Sequence, residues 1–443
     1  MNNKVSLITL GCSKNTVEAE AVAGLFVKDG FKITGDATQA DIIVIHTCSF
    51  IADAQKESEQ CILSAKNLKE KNKKIRIYVS GCLPQLMKDE FIKKYPFIDG
   101  YVGTGGFEKI VKLIKKQKFF SSIENPSGVN NFKKRILSTT LPTTYIKIAE
   151  GCNHRCSFCL IPQLRGSYKS RTIKSVVDEA KALAACGIKE LNIIAQDTTS
   201  YGIDIYGKPS LVTLLDKISN VSSLKRIRLL YAYPLNISND LLKIISEREN
   251  ICSYIDIPIQ HVNKNVLAKM ARPLNTVKVI ENIKSKFPGI TLRTSLIVGF
   301  PGETNAQFKE LVNFVKQNYF ENIGIFGYSD QEKAKSFKLQ NKISQEITDE
   351  RKQILANVQF ENVLKNNKAK IGKEFEVFIE ATDKNKAYCR TEFQAPEIDG
   401  ITIVNLKNKK AVPGQFIKIS VSNFKDYDLI GRMEAKQKIS ICR

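Results

Sequence analysis

The sequence has no apolar run long enough to cross a membrane. Its longest apolar stretches, such as Ile42–Ile45 and Ser295–Phe300, are much shorter than the roughly 18 to 20 residues that a bilayer requires. The amino-terminal residues also lack a basic head followed by an apolar stretch and a small-residue cleavage site, so we expect no secretory signal. We therefore expect a cytoplasmic chain without a membrane span.

Repeats of fixed period and low-complexity tracts are also missing, and acidic residues are in short supply. The 443 residues, 43% of them hydrophobic, are too many for one core, so we expect two or three domains. Lys and Arg number 68 against 45 Asp and Glu, and residues 66–135 alone hold 17 basic and 6 acidic residues. Such a field attracts polyanions, which makes a nucleic acid or nucleoprotein a candidate neighbour. A basic face kept only for solubility is the alternative interpretation.

The number of cysteines narrows the class of protein. Eleven Cys is an odd number in a long chain with no secretory signal, and a reducing compartment disfavours a disulfide framework. Metal binding is therefore the leading explanation.

The first block of sequence alternates short β-branched runs with helical segments, which predicts a parallel, doubly wound α/β sheet. Three of its predicted strands end in a cysteine, at Cys12, Cys48 and Cys82. Because the carboxyl ends of parallel strands share one edge, we expect these three residues to converge. The predicted elements are strands at Val5–Leu10, Asp41–Thr47, Ile75–Ser80 and Gly100–Gly103, and helices at Ala19–Asp29, Ala52–Lys69 and Gln85–Lys93.

Three further blocks follow a basic, polar segment from about Lys116 to Thr140 that is typical of a linker. Six strand–helix units over roughly 190 residues suit an open or partial (βα)6 barrel better than a closed eight-stranded one. Next comes a predicted amphipathic connecting helix, Gln340–Lys368, and then alternating runs typical of a small antiparallel β-barrel. The predicted domains are 1–118, the linker 119–140, 141–370 with the connector, and 371–443.

The six strands of the second block are each a short run of apolar, largely β-branched residues. They are predicted at Tyr145–Ala149, Leu191–Ala195, Arg226–Tyr231, Tyr254–Ile259, Thr291–Val298 and Ile323–Tyr328.

The sharpest local motif is a CxxxCxxC loop formed by Cys152, Cys156 and Cys159 directly after a predicted strand. Three thiolates at this spacing can hold three corners of a [4Fe-4S] cluster and leave one iron open for chemistry. A structural zinc site with His154 as fourth ligand, packing cysteines and a redox disulfide are the competing interpretations.

This loop, at the start of six βα units, resembles the radical S-adenosylmethionine superfamily. The resemblance implies that the open iron binds the amino acid end of S-adenosylmethionine. It also implies reductive cleavage to a 5′-deoxyadenosyl radical, which removes hydrogen from an unactivated carbon.

The full layout, a cysteine-bearing α/β domain, a radical core and a small β-barrel, resembles the methylthiotransferase family. That resemblance implies that Cys12, Cys48 and Cys82 hold an auxiliary [4Fe-4S] cluster, although each could simply be a small residue at a buried strand end. It further implies that S-adenosylmethionine serves as both methyl donor and radical source. The barrel resembles the TRAM domain, which docks the substrate macromolecule.

Two branches of the family are candidates. One thiomethylates the β-carbon of an aspartate in small-subunit ribosomal protein S twelve, and the other an adenosine beside a transfer RNA anticodon. Several stretches look like the ribosomal-protein branch, namely Leu10–Asn15, Thr47–Ile51, Ala195–Gly202, Arg228–Pro234 and Ala395–Gly400. One departure is Ser329–Lys335, where the family usually has an acidic, glycine-containing run leading to Thr-Ala.

The expected partners are the ribosomal protein, free or on the subunit, ribosomal RNA through the basic surface, and a flavodoxin- or ferredoxin-like electron donor. A zinc-stabilised ribosome-binding factor without enzyme activity is the alternative from another class.

Other residues have weaker signals. Gly299 and Gly302, in a loop after a strand, resemble the family's support for S-adenosylmethionine, with a plain turn as the alternative. Gln196 and Asp197 point to the same crevice, either to bind cofactor or substrate or to cap a helix. His261 is a ligand-orienting or a structural histidine. The remaining cysteines are read as ordinary thiols, at Cys61, Cys186, Cys252, Cys389 and Cys442.

Overall fold

The computed structural model describes residues 3–116, 118–126, 135–138, 142–406 and 410–433. Two six-stranded parallel sheets and one closed five-stranded barrel follow one another along the chain. The expected α/β class with a carboxyl-terminal barrel is confirmed. None of the helices in these ranges is both long and apolar enough to cross a membrane.

The first sheet is parallel throughout, with strand order β2-β1-β3-β4-β5-β6. Its central strand β3 is buried along its whole length, as expected for a sheet covered by helices on both faces. The strands are β1 (Lys4–Thr9), β2 (Lys32–Ile33), β3 (Ile42–Thr47), β4 (Arg76–Gly81), β5 (Gly100–Val102) and β6 (Phe120–Ser122).

Helices cover both faces of this sheet, with α1 and α5 on one face and α2, α3 and α4 on the other. The helix predicted at Gln85–Lys93 is two helices, because Lys88 takes a positive φ of 53° and ends α3. The helices are α1 (Ser13–Lys28), α2 (Ala52–Lys71), α3 (Cys82–Met87), α4 (Glu90–Lys94) and α5 (Ile110–Lys115), with short 3-10 turns at 37–39 and 107–109.

The strand β6 lies within the segment expected to be linker, and it extends the first sheet beside β5. Residues 117, 127–134 and 139–140 of that segment, expected from about Lys116 to Thr140, lie outside the described residues.

The second sheet is the expected open array of six parallel strands, in the order β14-β13-β12-β11-β10-β7, with β7 and β14 at its two edges. A separate two-stranded ribbon, β8 (Ala149–Glu150) with β9 (Lys169–Ser170), flanks the cysteine loop. The six strands are β7 (Thr143–Lys147), β10 (Glu190–Ile194), β11 (Arg226–Leu229), β12 (Ile251–Asp256), β13 (Thr291–Val298) and β14 (Asn322–Gly327).

The helices of this region connect successive strands and bury their apolar faces in one large core. They are α6 (Ile161–Arg165), α7 (Ile173–Ala185), α8 (Ile203–Tyr206), α9 (Leu211–Ser219), α10 (Asn239–Glu247), α11 (Lys264–Lys269), α12 (Thr276–Lys286) and α13 (Asn305–Lys316), with 3-10 turns at 234–236 and 335–338.

The connector is the helix α14 (Gln345–Lys368), and its sequence predicts a buried apolar stripe of Ile343, Ile347, Ile354, Val358 and Val363. Only part of this stripe faces inward, since Val363 is buried and Val358 packs against the core. Ile347 and Ile354 are exposed. Polar residues are buried instead because they bond to backbone carbonyls of the core. Gln359 Nε2 donates to Glu321 O at 3.1 Å, and Asn362 Nδ2 donates to Val315 O at 2.7 Å.

The barrel closes in the order β15-β16-β17-β19-β18, and only the β17–β19 pair is parallel. Alternate side chains fill its interior, as the alternating sequence predicts. The strands are β15 (Glu374–Asp383), β16 (Lys386–Arg390), β17 (Thr402–Asn405), β18 (Phe416–Lys425) and β19 (Asp428–Met433).

A buried ion cluster joins the barrel to the second sheet. Glu190, at the start of β10, accepts hydrogen bonds from Arg390 of the barrel and, at 3.1 Å, from Arg228 of β11. Arg226 and Arg228 donate in turn to barrel carbonyls, at 2.7 Å to Arg390 O and 2.6 Å to Glu392 O. The barrel is thus fixed to the amino-terminal ends of these strands, which leaves the opposite, carboxyl ends for chemistry.

Candidate active site

Three cysteines meet at the carboxyl edge of the first sheet, and we call Cys12, Cys48 and Cys82 the first trio. Cys12 precedes α1, Cys48 follows β3 directly and Cys82 begins α3. The strands before them, β1, β3 and β4, are neighbours in the sheet, so the three thiols share one corner as predicted.

Gly11 shows how closely the loops of the first trio approach one another. It has a φ of +90°, and a Cβ added there would lie 2.5 Å from Cys48 Cβ and 2.8 Å from Cys48 Sγ. Only glycine satisfies both the backbone conformation and the contact.

Burial dominates the electrostatics of these thiols. It raises the pKa of Cys82 to about 12, and the nearby Cys48 and Cys12 raise it further while Arg165 acts in the opposite direction. Burial also raises the pKa of Cys48, again with a contribution from Cys12. Burial therefore favours the protonated form of Cys48 and Cys82 when the first trio holds no metal.

The CxxxCxxC loop carries the second trio, Cys152, Cys156 and Cys159, and follows β8. A tight turn brings Cys159 N to Cys156 O at 3.1 Å. Burial raises the pKa of Cys159 to about 12 and that of Cys152 to about 11, and in each case the neighbouring Cys156 adds to the rise. The thiols of the second trio are therefore close enough to influence one another electrostatically.

The two trios lie on adjoining walls of one site. Cys82 packs against Leu160 and Leu164, which follow Cys159 in the chain. A charged residue of the second region, Arg165, also donates to Cys82 Sγ at 3.4 Å. The carboxyl ends of both sheets therefore face a shared space.

The segment after β14, where the sequence departs from the family pattern, crosses to the first sheet beside this space. Ser329 Oγ accepts from Ala52 N at 3.2 Å, and Gln331 Oε1 accepts from Gln55 Nε2 at 2.7 Å. Both partners belong to α2, so this segment connects the second region to the first.

A buried ion network lies between the trios. Glu18 of α1 accepts from Lys147 Nζ at 2.6 Å and from Arg165 Nη1 at 2.5 Å, and His46 Nε2 lies 3.0 Å from its second oxygen. Lys147 also bonds Glu150, the residue before Gly151 of the cysteine loop. Burial alone would raise the pKa of Glu18, but Arg165 and Lys147 hold it well below its usual range.

Gln196 and Asp197 reach the same region from the end of β10. Gln196 Nε2 donates to Glu150 Oε1 at 2.6 Å, and its buried Oε1 has no hydrogen-bond partner. Asp197 accepts from Thr199 N at 2.8 Å in a turn and not at a helix start, since α8 begins at Ile203, and it also bonds His154 Nε2 at 2.7 Å.

His154 is not placed as a fourth metal ligand. Its ring stacks on Tyr233 with centroids 3.5 Å apart, and its Nε2 is hydrogen-bonded to Asp197. In the part of the chain that the structure describes, no three His, Cys, Asp or Glu side chains are grouped so as to hold a single metal ion. A cubane binds each thiolate through a different iron, so it needs a wider spacing than a single zinc ion.

The loop of Gly299 and Gly302 has a packing explanation of its own. Gly299 has a φ of +75°, and a Cβ there would lie 2.2 Å from Thr348 Oγ1 of α14. Gly302 N donates to Asn341 O at 2.8 Å. The loop is a turn packed against the connector, and any contact with S-adenosylmethionine stays a prediction.

His261 is wholly buried beside Glu303, with Nε2 3.4 Å from Oε1, and its Nδ1 accepts from Asn263 N at 2.9 Å. This is the geometry of a structural histidine.

Four other cysteines lie apart from the trios. Cys252 and Cys389 are buried, Cys61 is half-buried and Cys186 is exposed. Cys442 lies outside the described residues.

Family models match three parts of the chain. Residues 4–103 match the Uncharacterized protein family UPF0004, residues 146–315 the Radical SAM superfamily and residues 371–433 the TRAM domain. The ribosomal protein uS12 methylthiotransferase RimO of Endomicrobium trichonymphae is 49% identical over 433 residues, covering 96% of this chain and 97% of that protein. The protein of the same name from Thermoanaerobacter sp. (strain X514) is 40% identical, covering 96% of this chain and 99% of that protein.

This chain belongs to the uS12 methylthiotransferase family. As a radical S-adenosylmethionine enzyme of this family, it uses [4Fe-4S] clusters and S-adenosylmethionine. Among solved structures, the radical S-adenosylmethionine methyltransferase TsrM from Kitasatospora setae has a similar fold, with a TM-score of 0.56 at 14% identity. The match covers 73% of this chain and 72% of TsrM.

Sequence reasoning missed the charged residues around the trios of this methylthiotransferase, chiefly Glu18, Lys147, Arg165 and Arg272. Arg272 Nη1 lies 3.8 Å from Cys156 Sγ and its guanidinium lies 4.5 Å from the Tyr233 ring centroid. The sequence does contain a signal for Glu18, because it lies among the Ala and Val residues of α1. An acidic residue in such an apolar helix is expected to be buried and therefore paired with a cation. For the other three, no local motif indicates the contact.

Proposed function

We propose that the protein inserts a methylthio group at the β-carbon of an aspartate of uS12, the small-subunit ribosomal protein S twelve. The observation that carries this proposal is the match over nearly the full chain to proteins named ribosomal protein uS12 methylthiotransferase. This chain also has all three matched regions, in the order UPF0004, radical SAM and TRAM.

The six cysteines of the two trios are the proposed cluster ligands. In this proposal Cys12, Cys48 and Cys82 hold the auxiliary [4Fe-4S] cluster, and the second trio holds the cluster that binds S-adenosylmethionine. Each trio offers three soft sulfur donors, which suit iron–sulfur clusters. Ser13 Oγ and Ser49 Oγ support the first assignment, because both are buried without a partner next to Cys12 and Cys48. A cluster sulfur there would accept their hydrogen bonds.

When bound, these groups supply a radical that removes hydrogen from an unactivated carbon and a sulfur that replaces it. The residues of the chain provide placement. Glu150 is paired with Lys147, and its Oε1 accepts a hydrogen bond from Gly151 N at 3.3 Å. These contacts fix the start of the cysteine loop. Gln196 and the loop of Gly299 and Gly302 are the proposed neighbours of S-adenosylmethionine, Gln196 through its unpaired Oε1.

The proposed domain limits are 1–118, 141–370 and 371–443, with 119–140 as linker. We further propose a cytoplasmic enzyme that meets uS12 either free or on the ribosomal subunit. Its net charge of +23 supports contact with ribosomal RNA. A flavodoxin- or ferredoxin-like protein is the proposed electron donor.

The test expresses the gene in a host that lacks both methylthiotransferase activities. Mass spectrometry then follows uS12 and transfer RNA in parallel, with the variant Cys152→Ala as control. A mass gain of one methylthio group on the uS12 aspartate, absent in the control, is the expected result. A gain on transfer RNA instead would establish the adenosine branch, which the named relatives do not favour.

Metal analysis tests the non-enzymatic alternative. Protein isolated without oxygen should be brown and contain iron and sulfide. Colourless protein that contains zinc would favour a ribosome-binding factor and contradict the proposal.

A further inference from the structure

Arg165 links the two trios from one side. It is the last residue of α6 and is almost wholly buried. Its Nη2 donates to Cys82 Sγ at 3.4 Å and to Asn15 Oδ1 at 2.6 Å, while Nη1 donates to Glu18 Oε1 at 2.5 Å. One guanidinium from the second region therefore contacts three residues of the first.

The surroundings of Arg165 hold it in place. Glu18 is its main counter-ion and also bonds Lys147, and Glu150 lies 3.6 Å from Arg165 Nη1. The two carboxylates and the two cations balance in formal charge. Asn15 is itself fixed, because its Nδ2 donates to Leu10 O at 2.8 Å. The guanidinium therefore has little freedom to move away from Cys82.

We propose that Arg165 is a positioning residue for the auxiliary cluster, one that fixes Cys82 and raises the reduction potential of the cluster held there. This inference rests on the proposed function. Reduction adds negative charge to a cluster, and a cation that donates to a ligand sulfur stabilises the reduced form. Because this cation comes from the second region, the potential depends on the docking of the two regions.

Glu18 carries the opposite charge beside the same guanidinium, with its Oε1 2.5 Å from Arg165 Nη1. Arg165 and Glu18 should therefore influence the potential of a cluster bound at Cys82 in opposite directions.

The experiment isolates the auxiliary cluster in the full chain. A parent variant carries Cys152→Ala, Cys156→Ala and Cys159→Ala, and its cluster is reconstituted without oxygen. A dithionite titration followed by electron paramagnetic resonance gives the midpoint potential of one-electron reduction. Arg165→Gln should make reduction at least tenfold less favourable, which is about 59 mV lower for one electron.

Three further variants separate charge from structure. Arg165→Lys keeps the charge and should restore most of the potential. Glu18→Gln removes the counter-charge and should shift the potential upward, opposite to Arg165→Gln. Arg248→Gln is the matched control, since Arg248 is an exposed residue paired with Asp216, and it should change nothing.

Equal potentials for Arg165→Gln and Arg248→Gln would overturn the inference. So would shifts of the same sign for Arg165→Gln and Glu18→Gln, since loosening of the fold would then explain both. If Arg165→Gln assembles no cluster, the other two variants test the inference. An upward shift of the potential in Glu18→Gln together with a retained potential in Arg165→Lys would support it, and the absence of either would overturn it. A parent variant that binds no cluster would instead overturn the proposed assignment of the first trio, and this inference with it.

Discussion

Replacing Glu190 with Ala should release the barrel from the second sheet. Glu190 is fully buried between Arg390 and Arg228, and its Oε2 also accepts from Thr143 Oγ1 at 2.7 Å. Removing this carboxylate takes away the carboxylate that pairs with Arg228 and leaves Arg390 with only the partly exposed Glu380. Breaking a buried pair in this way costs about 3–5 kcal/mol. The open, undocked population should therefore rise by roughly two to four orders of magnitude, since about 1.4 kcal/mol is a factor of ten.

Limited proteolysis of the full chain measures this population when opening is faster than cleavage. Cleavage at the barrel boundary near 369–373 should accelerate strongly in Glu190→Ala. The control Asp178→Ala removes one partner of an exposed pair with Lys174 and should leave the rate unchanged. A Glu190→Ala protein that resists the protease as well as the unaltered chain would refute the reasoning about the buried charges.

Two further predictions concern acid and the first trio. Burial alone would raise the pKa of Glu190, but Arg390 and Arg228 hold it well below its usual range, so its contribution to docking is present above about pH 4.3 and is lost at lower pH. Proteolysis with an acid-active protease should show the difference between the unaltered chain and Glu190→Gln shrinking below that pH, and a difference that grows would contradict this sign. Gly11→Ala should abolish the auxiliary cluster while the other remains, because the new Cβ would clash with Cys48, and iron analysis should show about half the iron. Gly30→Ala has a similar φ of +88° with no atom within 4 Å, so it should keep both clusters; equal loss in the two variants would show that backbone strain alone is responsible.

Periodicity and strand-end chemistry predicted much of the fold. The run Thr291–Val298 is β13 as predicted, and the other strands of the second sheet lie within a few residues of their expected bounds. Short β-branched runs bounded by helices leave few alternatives to a parallel sheet. The convergence of the first trio followed from the same topology, because parallel strands end at one edge.

The failures share a physical cause, which is that tertiary contacts decide them. The three residues of β6 are too few to show a period, and they pair only because β5 presents a free edge. The buried face of α14 carries Gln359 and Asn362, whose amides satisfy core carbonyls that the sequence pattern does not reveal. Arg165 and Glu18 are 147 positions apart, so no local motif could have joined them.

The most direct test of the account counts clusters in three forms of the full chain, by Mössbauer spectroscopy after anaerobic reconstitution with iron-57. The unaltered chain should hold two [4Fe-4S] clusters. Changing Cys12, Cys48 and Cys82 together to Ala should leave one, and changing Cys152, Cys156 and Cys159 together should leave the other. A protein that keeps both clusters after either trio is removed, or that never holds more than one, would contradict the central claim.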